Sequence, residues 1–367
     1  MVPTKNNFNS IFVLLLYTFC AICETKYIGG YYWSGSNKIT KISDLNLGLL
    51  THLFYAFVEV NIDGSLTIQN QEQGFVDELL KYKLKTNPDL KLLFSFTNKN
   101  DSFSKVIADP DLKSNFLTNT LTLLQNNSYD GIDLDWEFPK DEDKENYVAL
   151  LRDLQSLFNS KYILTAAVRA IPIYKNTGYI VPEMTKYLDI INIMTYDYFG
   201  SWSNTTGQNS PLYPCSLDSA YEREYLNVNA SIFNWIKVGA DKTKLALGIP
   251  FYGRTFTLAD PDNHGIHAPS KGGGSPLSLT FYQIASSYSN YITVWNDEQQ
   301  TPYKYKNYTW LSYDDERSVA RKASYAVEQE LRGVFVWHIG ADDVMGTLTG
   351  TKQPLLTTIN ETIFQIN

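Results

Sequence analysis

Eight short apolar runs, rich in β-branched and aromatic residues, recur along the chain with amphipathic stretches between them. This alternation limits the possible folds more than any other feature. The runs cover residues 27–32, 50–60, 90–96, 131–137, 162–168, 190–197, 245–252 and 334–339. Near-continuous apolar strands are those of a parallel sheet covered on both faces. Residues 75–85, 111–124, 143–158, 219–238 and 315–331 carry apolar positions at three- and four-residue spacing, the pattern of helices with one buried face. Eight strands alternating with helices predict an α/β fold, a (β/α)8 TIM barrel rather than an open sheet.

One spacing is out of line. About 80 residues separate the seventh and eighth runs, and barrels accept insertions in the loops at their catalytic face. Residues 255–311 hold Gly272-Gly273-Gly274 and short Tyr-rich segments such as Phe281-Tyr282. They are read as a small α+β module inserted between strand 7 and helix 7. No internal repeat, Pro/Ser-rich linker or appended binding module is visible.

Residues 1–23 are read as a signal peptide. Lys5 supplies the positive start, residues 11–19 form an apolar run too short to cross a bilayer, and Ala21-Ile22-Cys23 leads to cleavage before Glu24. The mature barrel is then residues 24–367, and delivery is outside the cell or to a lysosomal or vacuolar compartment. Cys20 and Cys23 leave with the leader, and Cys215 remains, so no disulfide framework is expected. With no Cys pair and four His, no metal site is expected either. The sequons at Asn100, Asn126, Asn204, Asn229, Asn307 and Asn360 are compatible with secretion. The net charge of −8 and the lack of any Lys/Arg run exclude a nucleic-acid footprint. Twenty-six Tyr and 7 Trp suit a surface that stacks on sugars.

The decisive segment is Tyr129-Asp130-Gly131-Ile132-Asp133-Leu134-Asp135-Trp136-Glu137. Side chains alternate along a strand. Ile132, Leu134 and Trp136 then face the helices, while Asp133, Asp135 and Glu137 climb the inner wall about 6–7 Å apart. Glu137 comes last, at the carboxyl end, where barrel active sites sit. Crowded carboxylates in a low-dielectric interior cannot all ionise, so at least one must hold a proton. A proton-holding carboxylic acid at an open mouth is what acid-catalysed cleavage of an acetal needs. Calcium loops are polar and broken by Gly, whereas these acids alternate with Ile, Leu and Trp, which argues against a metal.

The spacing Asp130-x-x-Asp133-x-Asp135-x-Glu137 resembles the signature of glycoside hydrolase family 18, the chitinases and their relatives. The resemblance extends over roughly residues 26–363. His52-Leu53-Phe54-Tyr55-Ala56-Phe57 is similar to the family's second strand, Met194-Thr195-Tyr196-Asp197 to its sixth and Val336-Trp337 to its eighth. Gly248-Ile249-Pro250-Phe251-Tyr252-Gly253-Arg254 is similar to the seventh. The absence of Cys pairs and the opening Gly29-Gly30-Tyr31-Tyr32-Trp33 look closer to plant-type class V chitinases than to animal ones.

The resemblance implies roles. Glu137 protonates the glycosidic oxygen, and the substrate's own 2-acetamido carbonyl is the nucleophile, an exception to the two-carboxylate scheme. Asp135 orients the acetamido group, and Asp133 shares a proton with Asp135. Tyr196 bonds the acetamido carbonyl, Asp197 and Arg254 hold hydroxyls, and Trp337 lies under the reacting ring. Tyr31, Phe57 and Met194 join the candidate substrate-binding set chiefly as packing. Trp202, after Gly200-Ser201, is a further candidate contact. The expected partner is chitin or an N-acetylglucosamine oligosaccharide, with no cofactor, no nucleic acid and no membrane span, on a monomer.

One departure stands out. The family's third strand ends Ser-x-Gly-Gly, often followed by Trp, and here the sequence reads Ser95-Phe96-Thr97-Asn98-Lys99. Two glycines that let substrate approach the backbone are lost. A chitin-binding lectin, or a glycosidase acting on the chitobiose core of N-glycans, is therefore kept as an alternative to a chitinase.

Overall fold

The computed structural model describes residues 26–36, 40–68, 73–98, 101–173 and 176–365. The expected leader, Lys99 and Asn100 lie outside the described residues. The strands in chain order are β1 (Tyr27–Trp33), β2 (His52–Val60), β3 (Leu66–Ile68), β4 (Lys91–Asn98), β5 (Gly131–Asp135), β6 (Ile163–Arg169), β7 (Ile190–Met194) and β8 (Leu245–Pro250), then β9 (Tyr252–Leu258), β10 (Ser270–Thr280), β11 (Ile292–Asn296), β12 (Thr301–Lys306), β13 (Thr309–Ser312) and β14 (Gly333–Trp337). The helices are α1 (Gln73–Thr86), α2 (Ser102–Ala108), α3 (Pro110–Asn127), α4 (Lys144–Phe158), α5 (Val181–Tyr187), α6 (Ala220–Tyr225), α7 (Val228–Lys237), α8 (Phe281–Ser287), α9 (Glu316–Glu328) and α10 (Pro354–Gln365).

All eight apolar runs are strands of one closed parallel barrel. Its order is β1-β14-β8-β7-β6-β5-β4-β2, closed by β2 pairing back to β1, with β3 a short antiparallel flap on β2. Two apolar layers follow from the alternation of side chains. A large mantle lies between strands and helices and includes Ile132, Leu134, Leu164, Val168 and Val336. A small plug inside the barrel comprises Tyr27, Tyr31, Phe54, Ala56, Leu93, Ile190, Ala246 and Phe335. The plug fills the lower interior, so the polar column on β5 stands on a packed floor rather than over a pore.

Two expectations need correction. The single helix expected over residues 219–238 is two helices, α6 and α7. Asn227 between them is extended (φ −155°), and its side chain accepts from the Ala230 N–H at 2.8 Å. This cap starts a new helix, and periodicity alone does not reveal it. The seventh barrel strand also stops at Pro250. Tyr252–Arg254, which the sequence reading assigned to it, belong to β9, the second strand of the five-stranded antiparallel sheet β10-β9-β13-β12-β11. Gly253 makes that switch possible. A Cβ on it would lie 2.3 Å from the Ser312 carbonyl oxygen, so only glycine lets β9 lie this close to β13.

Among the described residues no helix is long and apolar enough to cross a membrane.

Candidate active site

The registers of β4, β5 and β6 decide what each acid touches. Ser95 pairs with Asp133, and Asp133 with Thr165, so three side chains stand at one level. Asp133 accepts from Ser95 Oγ at 2.9 Å, Thr165 Oγ1 at 2.6 Å and Tyr31 Oη at 2.8 Å. Burial pushes its pKa up, and the hydrogen bonds of Thr165, Tyr31 and Ser95 pull it back. One level higher, Asp135 pairs with Thr97 and Ala167. Ala167 offers no donor, and the buried Oδ1 of Asp135 has no protein partner. Burial raises the Asp135 pKa well above the usual range, and the charges of Glu137 and Asp133 raise it further. In this structure the hydrogen bonds of Asp133 run to hydroxyls rather than to Asp135.

β5 ends at Asp135, so Glu137 is not the top rung of the strand but the second residue beyond it. Trp136 anchors the exit, stacked on Phe103 with centroids 5.2 Å apart and edge-on to Tyr147. With Trp136 held in the mantle, the next residue turns into the cleft. The Glu137 backbone N–H donates to Asn98 Oδ1 at 3.3 Å. Asn98, part of the departure in the third strand, thus steadies the loop that carries the acid. Glu137 is open to solvent along the cleft, yet the enclosing walls still desolvate it. Its pKa is raised, first by that burial and then by Asp197, with Arg169 opposing. The other acid of the motif, Asp130, is far from chemistry. It pairs with Lys83 at 2.8 Å and accepts from the Leu92 N–H, tying α1 to β4 at the amino end.

The cleft runs past Glu137 on both sides. One arm, of about 400 Å³, is lined by Tyr31, Phe57, Asp135, Tyr196 and Trp337 among others. The other, of about 730 Å³, is lined by Phe138, Arg169, Trp202 and Tyr221 among others. Glu137, Met194, Tyr196 and Asp197 border both. Trp337 lies across Phe57 with rings stacked 5.6 Å apart, which makes a flat aromatic base. Tyr196 seats its ring over Gly248, whose missing Cβ would come 2.9 Å from it. Asp197 is held by Tyr252 Oη at 2.7 Å and by the Arg254 guanidinium at 2.7 Å. Arg254 in turn lies 5.3 Å from the ring of Trp202, which is 58% exposed.

Of the residues singled out from the sequence, Glu137, Asp135, Tyr31, Phe57, Met194, Tyr196, Asp197, Arg254, Trp337 and Trp202 line the two arms, while Asp133 is fully buried beneath them. Tyr31 sits lower than the rest, bonded to Asp133 in the packed plug. The sequence marks Asn98 only as part of the third-strand departure and does not mark Tyr252, Thr165 or Arg169 as functional. Thr165 is given away only by strand register, and Tyr252 only by the bond of its hydroxyl to Asp197. Arg169 stacks its guanidinium 3.9 Å over Phe138, a contact with no signal in sequence spacing. The module adds Leu279, Thr280 and Gln283 to the cleft wall.

A carboxylic acid with a raised pKa stands open to a two-armed aromatic cleft. A buried acid beneath it lacks a hydrogen-bond donor. The pair can deliver a proton and receive a polar hydrogen from a ligand. Comparison with known proteins places this arrangement. The model of the family "Glycosyl hydrolases family 18" matches residues 27–342. Chitotriosidase-1 of Mus musculus is 33% identical over 341 residues, which is 87% of this chain and 73% of the mouse protein. Among solved structures, a chitinase of Trichuris suis has 32% identity and a TM-score of 0.88, with 92% of this chain and 100% of that one covered. A class V chitinase of Nicotiana tobaccum has 28% identity and a TM-score of 0.84, with 92% and 99% covered. The chain belongs to glycoside hydrolase family 18.

Proposed function

We propose that this protein hydrolyses β-1,4 bonds between N-acetylglucosamine units, in chitin or its oligomers, by a substrate-assisted retaining mechanism. The observation that carries this reading is Asp135, which lines the cleft below Glu137 and whose buried Oδ1 has no protein donor. A buried acceptor needs a donor, and an acetamido N–H is one of the right kind. Glu137, protonated at the outset, gives its proton to the glycosidic oxygen as the bond to the anomeric carbon breaks. The acetamido carbonyl oxygen of the same sugar closes on that carbon to give an oxazolinium ion. Asp135 holds the N–H and offsets the positive charge. Tyr196, whose phenol stays neutral because burial raises its pKa, donates to the acetamido group. Glu137, now a carboxylate, takes a proton from the water that opens the ring, so two inversions give net retention. Trp337 and Phe57 form the base under the reacting sugar. Chitinases among the relatives support the substrate class. The mature protein would act as a secreted monomer.

The test is cleavage of chitooligosaccharides of increasing length, with Glu137→Gln as the matched control. Wild type should release shorter oligomers with retained configuration. The variant should bind them and cleave about a thousandfold more slowly. Binding by both without cleavage would replace the enzyme by a chitin-binding lectin, and no binding by either would turn attention to the chitobiose core of N-glycans.

A further inference from the structure

On the far side of the larger arm, one turn of the barrel loop after β7 meets the loop between β9 and β10. The contact brings together Cys215, Asp218 and His267. We propose that these three residues bind a divalent cation of borderline softness, zinc above all, and that the ion ties the inserted module to the barrel beside the cleft.

The geometry is close to what zinc needs. Cys215 Sγ lies 3.2 Å from Asp218 Oδ1, and His267 Nε2 lies 2.8 Å from the same oxygen. The donor atoms of all three residues fall within 4.8 Å of one another. Tetrahedral zinc with bonds of about 2.0–2.3 Å separates its ligands by about 3.3–3.8 Å. Seating the ion thus asks the two short contacts to open by about half an ångström or less and the remaining separation to settle in the same range. Glu222 Oε2 lies 3.9 Å from His267 Nε2 but is taken up by the Ser219 N–H at 2.7 Å, so the fourth position falls to water.

The donor set selects the ion. A thiolate, an imidazole and a carboxylate suit zinc, whereas calcium and magnesium take oxygen shells. The site is also held in shape beforehand. Asp218 Oδ2 is fixed by the Cys215 N–H at 2.8 Å, which leaves Oδ1 for the ion. Cys215 is 4% exposed, and the His267 side chain is likewise largely covered. Binding involves no redox change. The thiol proton, and any proton on Nε2, passes to solvent as the ion takes its place. Asp218 and His267 are 49 residues apart in sequence, which is why cysteine and histidine spacing along the chain gave no sign of the site.

The test uses the full chain, stripped with a chelator and then exposed to zinc or cobalt(II). Wild type should retain about one zinc per chain after desalting. Its Tm should rise by about 4 °C or more at saturating metal. Cobalt should give a thiolate-to-metal absorption band. Cys215→Ser should lose the band and the Tm rise. His267→Asn, which keeps a residue tolerant of the left-handed backbone at this position (φ 60°), should lose the retained zinc while melting like metal-free wild type. The proposal fails if wild type keeps no zinc, if both variants keep as much as wild type, or if cobalt shows no thiolate band.

Discussion

Two sets of buried acids in this protein are treated in opposite ways. Asp314, at the start of α9, has both carboxylate oxygens on Lys322 Nζ, at 2.6 and 2.8 Å, and Oδ1 also accepts from Ser318 Oγ. Lys322 is fully buried and donates to Ser210 Oγ as well. Acid and base satisfy each other, and the pair stitches α9 to the loop after β7. The acids on β5 and at its exit have no such partner. Asp133 is held by hydroxyls, Asp135 Oδ1 by nothing, and Glu137 only faces Arg169 across the cleft. A structural acid is neutralised by a cation. An acid meant to hold a proton is left to be neutralised by that proton.

Four variants test this contrast. The largest effect is expected at the structural pair. Asp314→Ala should cost about 3–5 kcal/mol, because it strands a buried lysine. Equilibrium unfolding in urea measures it, and a loss under 1 kcal/mol would put the two sets of acids on an equal footing. Asp135→Asn should do the reverse. It should lower kcat on chitooligosaccharides about a hundredfold while Tm holds or rises, since it removes charge crowding. A Tm that falls in step with activity would instead mark Asp135 as structural. Thr165→Val removes one of the hydroxyls on Asp133 and should cost about 1–2 kcal/mol, with a smaller effect on kcat than Asp135→Asn. The smallest effect is a shift in pH dependence. Arg169 holds the Glu137 pKa down against burial and Asp197. With Arg169→Met the acid keeps its proton to higher pH, so the alkaline limb of the kcat profile should move up. A limb that stays or moves down would remove Arg169 from the electrostatics of the acid.

The eight barrel strands were legible because a parallel strand buried on both faces leaves an apolar run that little else produces. The acid column was legible for the opposite reason: Asp133, Asp135 and Glu137 interrupt such a run where burial makes charge expensive. What was not legible depends on neighbours distant in sequence. Glu137 leaves the strand because Trp136 is gripped by Phe103 and Tyr147, residues from two helices. The helix break at Asn227 and the early start of β9 at Tyr252 rest on one side-chain cap and one glycine contact. Asn98 read as a loss of family character, yet in space it contacts the backbone of the acid.

The five-stranded sheet enters and leaves at one place, for Arg254 on β9, its first strand in chain order, pairs directly with Ser312 at the end of β13. Its ends are closed by their own ladder, so the length of chain between them adds little loop entropy to the barrel. A segment closed in this way can be exchanged as a cassette provided its bonds to the loop after β7, such as Thr206 N–H to the Ala268 carbonyl and Leu212 N–H to the Gln299 carbonyl, are kept. The boundary of free exchange lies just past Arg254, because that residue grips Asp197 and belongs as much to the cleft as to the cassette. Chimaeras that exchange residues 255–311 should keep the barrel and alter the height of the wall a polymer must pass.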